Sequence, residues 1–354
     1  MKAFFIGLVG LLLTGSVANA ADIVLFRDAS EMRVKVVKVD WSKITYMIAG
    51  QPQTKPLDKI AKIDFEKKPT QIVQGQRAFQ GGYYVKAASY YIKASKLPSK
   101  PYFWAKDYGM YYAALSYFHA EEYDKALSMY QKLIDSNSST RWLAEAQLGM
   151  VDCAIKKADI AKAKQLLKKF NSGKSAKKME YYRKLGELAE ARIMMASKKY
   201  KEASKLFRRV SSSTKRAYPN IYTRAQLGMA QALIFNKDFA KARKKIEDFM
   251  AKCPKTVKPE ALNTLGDCYF EEAKTKTGKE KDALIEEARW RYLRVFVLYP
   301  YSTESIRAKF YAAKCFLALS AKEKSAKARA KALNKEILKR APKSEWALKI
   351  KKGK

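Results

Sequence analysis

The chain contains the stretch Ala-Gln-Leu-Gly-Met at 146–150 and, unchanged, again at 225–229. In each copy an alanine follows the glycine by fourteen residues, at Ala163 and at Ala242. Self-similarity at a fixed distance is typical of repeat architectures. The copies lie 79 residues apart, which is about twice the length of a forty-residue repeat. The sequence therefore predicts one further unit between them.

A common frame extends these two copies to seven units over residues 69–345. Its first column is a small or compact residue, held by Gly75, Ala114, Val151, Ala191, Ala230, Gly266 and Ala313. An alanine follows twelve residues later, with insertions of ten and five residues in the last two units, at Ala87, Ala126, Ala163, Ala203, Ala242, Ala288 and Ala330. The column four residues beyond the alanine contains Tyr91, Tyr130, Leu167, Phe207, Ile246, Tyr292 and Asn334. The column seven beyond it contains Ala94, Leu133, Phe170, Val210, Phe249, Val295 and Ile337. This frame resembles the tetratricopeptide repeat (TPR), a hairpin of two antiparallel helices.

Three prolines support the frame, because Pro254, Pro300 and Pro342 each stand twelve residues after the alanine, where a proline stops a helix. The resemblance implies a mainly α protein, a right-handed superhelical solenoid of about seven TPR-like helical hairpins in which stacking supplies the core. Unit spacing runs from 37 to 46 residues. Since Val151 and Asn334 depart from the pattern, we expect irregular packing in the third and last units. Residues 346–354 are expected to form a basic tail.

The segment 21–68 does not follow the helical period. It contains β-branched runs at 23–26, 32–39, 44–48 and 60–65, separated by polar turns such as 27–30 and 49–52. Four or five short antiparallel strands fit a small curled sheet or barrel, and the segment resembles the Sm-like β modules that precede helical repeats in some exported bacterial proteins. We expect it to pack on the first helices, because a core of this length is marginal alone.

The amino terminus has the pattern of a secretory signal. Lys2 precedes an apolar run from Ala3 to Leu13, and small residues end at Ala20. We expect residues 1–20 to be removed, with cleavage after Ala20. A membrane anchor is the alternative, but the run is shorter than the roughly 20 apolar residues of a spanning helix. No later stretch is long and apolar enough for a spanning helix. No cysteine lies near the cleavage point, so a lipoprotein anchor is not indicated. The expected location is the periplasm or outer-membrane periphery of a bacterium.

Two segments refine the resemblance to exported proteins. Leu-Tyr-Pro-Tyr-Ser at 298–302 is followed by Ala308 and by Ala-Ala-Lys-Cys-Phe at 312–316, and Cys-Pro-Lys at 253–255 is followed by Leu-Gly-Asp-Cys-Tyr-Phe at 265–270. These resemble the longer repeats of the Tol-Pal cell-division coordinator and of the outer-membrane barrel-assembly lipoprotein. The resemblance implies a periplasmic adaptor, although the missing lipid-anchor cysteine argues against a direct equivalent of the lipoprotein.

Charge is strongly basic and uneven. The formal net charge is +38, and residues 156–217 have twenty basic and five acidic residues. Many of these basic residues fall in the second helices of the hairpins or in the turns before them, and second helices face outward in a solenoid. We call this set the basic ridge, and it contains Lys162, Lys168, Lys169, Lys198, Lys199, Lys201, Lys205, Arg208 and Arg209. An anionic lipid, lipopolysaccharide or envelope polymer would fit it, whereas export disfavours cytoplasmic nucleic acid. A basic surface with no ligand is the alternative.

The first helices of the hairpins line the concave surface of such a solenoid. Apolar positions there give a candidate partner-binding strip of Phe79, Tyr108, Tyr111, Leu115, Phe118, Ile155 and Met195. Aromatic residues on such a strip suit peptide capture. The alternative is that most of these side chains belong to the core between stacked helices, in which case truncation of Tyr111 would cost stability rather than binding.

Catalytic patterns are absent from the sequence. It has neither a Gly-rich phosphate loop nor a nucleophile elbow. The single histidine, His119, lacks the second histidine of a helical zinc site and is interpreted as a solvated helix-end residue. Adjacent glutamates, such as those at 121–122, 271–272 and 286–287, are interpreted as solvated charges. We therefore expect no catalytic residues, no metal and no cofactor.

The four cysteines leave two alternatives, because an exported protein can form disulfides. Cys153, Cys268 and Cys315 lie near the small column, where cysteine acts as a compact apolar residue, and Cys253 precedes a stop proline. Either all four are buried thiols or Cys253 and Cys268 form a bridge.

Together these observations predict an exported, non-catalytic TPR scaffold that binds envelope proteins or peptides through its concave surface. The alternative function is binding of an anionic envelope polymer, lipid or lipopolysaccharide through the basic ridge.

Overall fold

The computed structural model describes residues 21–342 and 344–353, so the expected signal lies outside the described residues. The chain begins with five antiparallel strands, β1 (Asp22–Phe26), β2 (Glu31–Val39), β3 (Lys43–Ile48), β4 (Gln51–Pro56) and β5 (Ile60–Asp64), in the sheet order β4-β3-β2-β1-β5. Four of them match the predicted runs. β4 was missed because all its side chains are exposed. The turn expected at 49–52 is only Ala49-Gly50, both with positive φ, and Gln51 already pairs with Ile48.

Seven helical hairpins follow, as the frame predicts. Their first helices are α1 (Thr70–Gln80), α3 (Ala105–His119), α5 (Leu143–Lys156), α8 (Glu180–Ala196), α10 (Pro219–Phe235), α12 (Lys258–Ala273) and α14 (Ser305–Ala318). The second helices are α2 (Tyr84–Ala94), α4 (Tyr123–Ser136), α6 (Ile160–Ser172), α9 (Tyr200–Thr214), α11 (Phe239–Met250), α13 (Gly278–Leu298) and α15 (Ala326–Arg340). Mainly helical architecture in a TPR-like solenoid is thereby confirmed.

Side chains of the frame form the contacts between helices. The alanine column is buried in every hairpin, from Ala87 at 0 % exposure to Ala330 at 1 %. The repeated phrase places Gly149 against the ring of Tyr130 and Gly228 against the ring of Phe207, each from the preceding second helix. An added Cβ would lie 2.5 Å from either ring, well inside van der Waals contact. The phrase is therefore a packing element.

Departures from the frame have local structural consequences. Val151 is fully buried, and the third hairpin is followed by an extra short helix, α7 (Lys174–Lys178). Asn334 leaves its side-chain oxygen buried without a hydrogen bond. The ten-residue insertion of the sixth unit lengthens α13 to 21 residues. A last helix, α16 (Glu345–Lys351), occupies most of the segment expected to be a basic tail.

The β module packs on the helices, as expected, but reaches beyond the first of them. Phe65 stacks on Trp104 at the start of α3, with ring centroids 4.2 Å apart. The backbone N–H of Trp41 donates to the carbonyl of Ser139, 3.1 Å away, between α4 and α5. The guanidinium of Arg27 lies 3.5 Å from the ring centroid of Tyr181 in α8. The module therefore covers the amino-terminal ends of α3, α5 and α8.

The opposite end of α3 approaches the end of the chain. The N–H of Glu345, in the first turn of α16, donates to the carboxylate of Glu121, which follows α3. Trp346 packs on Phe310 of α14. Within the described residues, no helix is both long and apolar enough to cross a membrane.

Candidate functional site

The inner face of the solenoid has a groove of about 450 Å³ between α3, α5, α8 and α10. Four residues of the predicted strip line it: Tyr111, Leu115, Phe118 and Ile155. The other three do not. Phe79 packs edge-on against Tyr84 and His119, Tyr108 lies under the β module beside Trp104, and Met195 packs against the central core cluster.

The aromatic side of this inner groove is shared with the core. Tyr111 stacks on Trp142, with centroids 4.1 Å apart and an interplanar angle of 7°. Burial raises the pKa of the Tyr111 hydroxyl, and the nearby Glu145 carboxylate raises it further. Tyr108 is enclosed by Tyr91, Tyr112 and Trp104, and burial likewise raises its pKa. Both tyrosines thus contribute to packing, and Tyr111 also presents an edge to the groove.

Sequence analysis missed the charged residues of the inner groove. They occupy two columns of the same frame, six residues before and one residue after the small position. The first column contains Glu145 and Arg224 and the second contains Asp152 and Arg192, all of which line the groove. Further along the solenoid the same two columns contain Glu260, Arg307 and Asp267. Only apolar and aromatic positions were predicted to bind a partner. The helical period that places Leu115 and Phe118 on the inner face also places these charged residues there.

Several of these charges form pairs between neighbouring inner helices. Arg192 of α8 lies 2.9 Å from a carboxylate oxygen of Asp152 in α5, and Arg307 of α14 binds Asp267 of α12. Arg224 on α10 is exposed and has no ion pair among the described residues. The inner groove therefore presents the guanidinium of Arg224, which is in no ion pair within that part of the chain, beside the Arg192–Asp152 pair.

Glu145 is the most unusual group in the inner groove. Its Oε1 accepts a hydrogen bond of 3.3 Å from the hydroxyl of Tyr182, whereas its buried Oε2 has no partner. Burial raises the pKa of this carboxyl, against the opposing effects of Arg141 and Arg27. A buried oxygen without a partner costs free energy, so the Glu145 carboxylate is held in the wall of the groove at an energetic cost.

The interpretation of His119 as a solvated residue was wrong. Its ring contacts Phe79, Tyr84 and Phe118, at centroid distances of 5.3, 5.4 and 5.7 Å. Burial lowers the pKa of this imidazole to about 4, and the nearby Lys156 lowers it further. The end of α3 lies against the first hairpin, and this packing buries most of the ring, while the rest of it lines the inner groove. No group of three or more potential metal ligands occurs among residues 21–342 and 344–353.

The basic ridge lies on the outer layer, on α6 and α9 and the turn before α9. All nine of its side chains are exposed, and none has an acidic partner in the described part of the chain. Lys168 and Lys199 line a groove of about 640 Å³ beside Lys164, with Leu167, Ile193 and Met194. Burial lowers the pKa of Lys245 on α11, and the adjacent Arg208 lowers it further. Positive charges are therefore close together where the ridge on α9 meets α11.

The four cysteines are buried free thiols, so Cys253 and Cys268 are not bridged. The paired glutamates are mostly held by nearby basic side chains, for example Glu272 by Arg243 and Glu287 by Arg291.

Comparison with known proteins gives one family match. The tetratricopeptide repeat model matches residues 108–140. These residues form the second hairpin, α3 and α4. TPR-repeat families are typically non-catalytic scaffolds that mediate protein–protein interaction. No curated protein sequence matches the chain.

Several solved structures are similar in part. A Pseudomonas aeruginosa PilF structure is 13% identical, covers 70% of this chain and 97% of its own, and has a TM-score of 0.37. Kinesin light chain TPR-like repeats of Podospora anserina are 15% identical over 56% of this chain and 96% of theirs, with a TM-score of 0.39. The C-terminal part of a TPR repeat-containing protein from Cytophaga hutchinsonii is 16% identical over 78% of this chain and 98% of its own, with a TM-score of 0.35.

Proposed function

We propose that this chain is a non-catalytic scaffold of the bacterial cell envelope that binds peptide segments of other envelope proteins in its inner groove. The observation that carries the proposal is the composition of that groove. Apolar Leu115, Phe118 and Ile155 lie beside Arg224, which is in no ion pair among the described residues, and the Arg192–Asp152 pair. Such a surface offers both apolar contacts and directed polar ones to an extended peptide.

The location rests on the amino terminus. A basic residue, an apolar run and small residues ending at Ala20 support export and cleavage. Protein purified from a periplasmic extract of expressing bacteria should therefore begin at Ala21, as measured by amino-terminal sequencing. A chain that retains Met1 in that fraction, or that is found only in the cytoplasm, would contradict export.

The partner experiment uses Arg224→Glu. Because Arg224 is exposed and breaks no ion pair when replaced, the variant should fold normally and lose its captured envelope partner by about tenfold or more, as expected for a reversed contact charge. Affinity capture from solubilised envelopes, quantified by mass spectrometry, measures this loss. Arg216→Glu is the matched control, since Arg216 is also exposed but lies in the turn before α10 and does not line the groove.

A second function is favoured by the unpaired ridge. If the chain binds an anionic envelope polymer through the ridge, then Lys162→Gln/Lys168→Gln/Lys205→Gln should abolish polymer binding at low salt while Arg224→Glu leaves it intact. The scaffold predicts the reverse for its protein partner. Retention of the partner by Arg224→Glu together with its loss from the ridge variant would reject the scaffold in favour of the polyanion binder.

A further inference from the structure

The longest helix, α13, has an exposed apolar surface at its carboxyl-terminal end. Trp290, Val297 and Leu298 are 51%, 65% and 62% exposed, and Tyr301 in the following turn is 68% exposed. We call these four residues the outer patch. Exposed apolar side chains grouped along one surface mark interaction sites.

Packing within the solenoid does not account for the outer patch. The side of α13 that faces its neighbours contains Ala288, Tyr292 and Val295, all fully buried. With 100° per residue, Trp290 and Val297 lie on the opposite side of the helix. Elsewhere in the described residues, large exposed apolar side chains occur singly or in smaller groups than the four of the outer patch, for example as the pair Tyr83 and Val85.

A column of lysines lies on the next outer helix. Lys331, Lys335 and Lys339 of α15 are exposed at intervals of four residues, and the described residues supply no acidic partner for any of them. Both helices pack on α14, where Leu293 of α13 and Leu333 of α15 contact the same cluster. Arg289 of α13 also pairs with Glu323 in the turn before α15.

We propose that the outer patch and this lysine column dock on the surface of an anionic lipid bilayer. Tryptophan and tyrosine favour the membrane–water interface, aliphatic side chains enter the acyl boundary, and lysines are attracted to anionic headgroups. Charge argues against a second copy of the chain as the occupant, since a symmetric contact would bring two uncompensated lysine columns together. The inference goes beyond the inner groove and uses different residues from the ridge.

The test is co-sedimentation with vesicles of phosphatidylglycerol and phosphatidylcholine, compared with phosphatidylcholine alone. The parent should bind the mixed vesicles and lose most binding on neutral ones. Trp290→Ser/Val297→Ser/Leu298→Ser should weaken binding to mixed vesicles by about tenfold or more, because it removes the inserting side chains. Tyr83→Ser/Val85→Ser is the matched control, since these residues are similarly exposed, and it should bind like the parent.

Charge variants separate this surface from the ridge. Lys331→Gln/Lys335→Gln/Lys339→Gln should weaken binding and reduce its dependence on salt, whereas the ridge variant should retain parental affinity at the same protein concentration. Circular dichroism checks folding, and Val297→Ser alone replaces the triple variant if that one unfolds. Parental binding by the folded outer-patch variant, or loss of binding in the ridge variant alone, would overturn the proposal. A parent dimer in light scattering that the outer-patch variant abolishes would assign the surface to a second copy instead.

Discussion

Replacement of Gly228 by valine is expected to lower the free energy of unfolding by about 1–3 kcal/mol, the usual cost of overpacking a core. Gly228 lies against Phe207, where an added Cβ would be 2.5 Å from two ring atoms and 2.8 Å from a third. Helix propensity acts in the opposite direction, because glycine is unfavourable inside a helix. A net decrease in the free energy of unfolding would therefore indicate a steric conflict between the valine side chain and Phe207. Urea unfolding followed by circular dichroism measures it.

A double-mutant cycle assigns the conflict to its partner. Phe207→Leu removes the ring, so Gly228→Val should cost less in that background than alone, with a coupling of about 0.5–3 kcal/mol. Ala240→Val on the exposed face of α11 is the control for valine in a helix and should change stability by less than about 0.5 kcal/mol. Equal costs for Gly228→Val in the two backgrounds would show that the repeated phrase is not held by this contact.

Acidification from pH 7 to pH 5 is expected to remove about 2 kcal/mol of stability through His119. Burial lowers the pKa of this imidazole in the folded chain to about 4, whereas an unfolded histidine has a pKa of about 6.5. Between these values the unfolded chain binds more protons, so stability is fully present above pH 6.5 and falls as the pH approaches 4. Urea unfolding at both pH values measures the loss.

His119→Gln supplies the control because it removes the titrating group, and the difference in pH dependence between parent and variant isolates His119. The chain has a single histidine, so its ring-proton resonance can be followed by NMR without assignment. A resonance that titrates near pH 6.5 in the folded protein would mean that the imidazole is solvated and that the aromatic enclosure does not form.

The repeat frame made much of the fold predictable. Each hairpin depends on residues within about forty positions of one another, and the helical period repeats seven times, so Ala87, Ala163 and Ala242 could be placed in the core from spacing alone. Strand β4 was not predicted, because all its side chains are exposed and an exposed edge strand shows no alternation of apolar and polar residues. The charged columns of the inner groove were encoded in the same period, and a search limited to apolar side chains overlooked them.

The sequence by itself determined the number of hairpins, their buried alanine column and the outward direction of the ridge, since local spacing sets which face of a helix each residue occupies. Only the tertiary structure decided which of those faces meet. It enclosed His119 among rings from the first hairpin, placed Arg27 of the β module on Tyr181 and left the outer patch of α13 uncovered. Contacts between elements distant in the chain depend on the curvature of the whole stack, and no local pattern encodes that curvature.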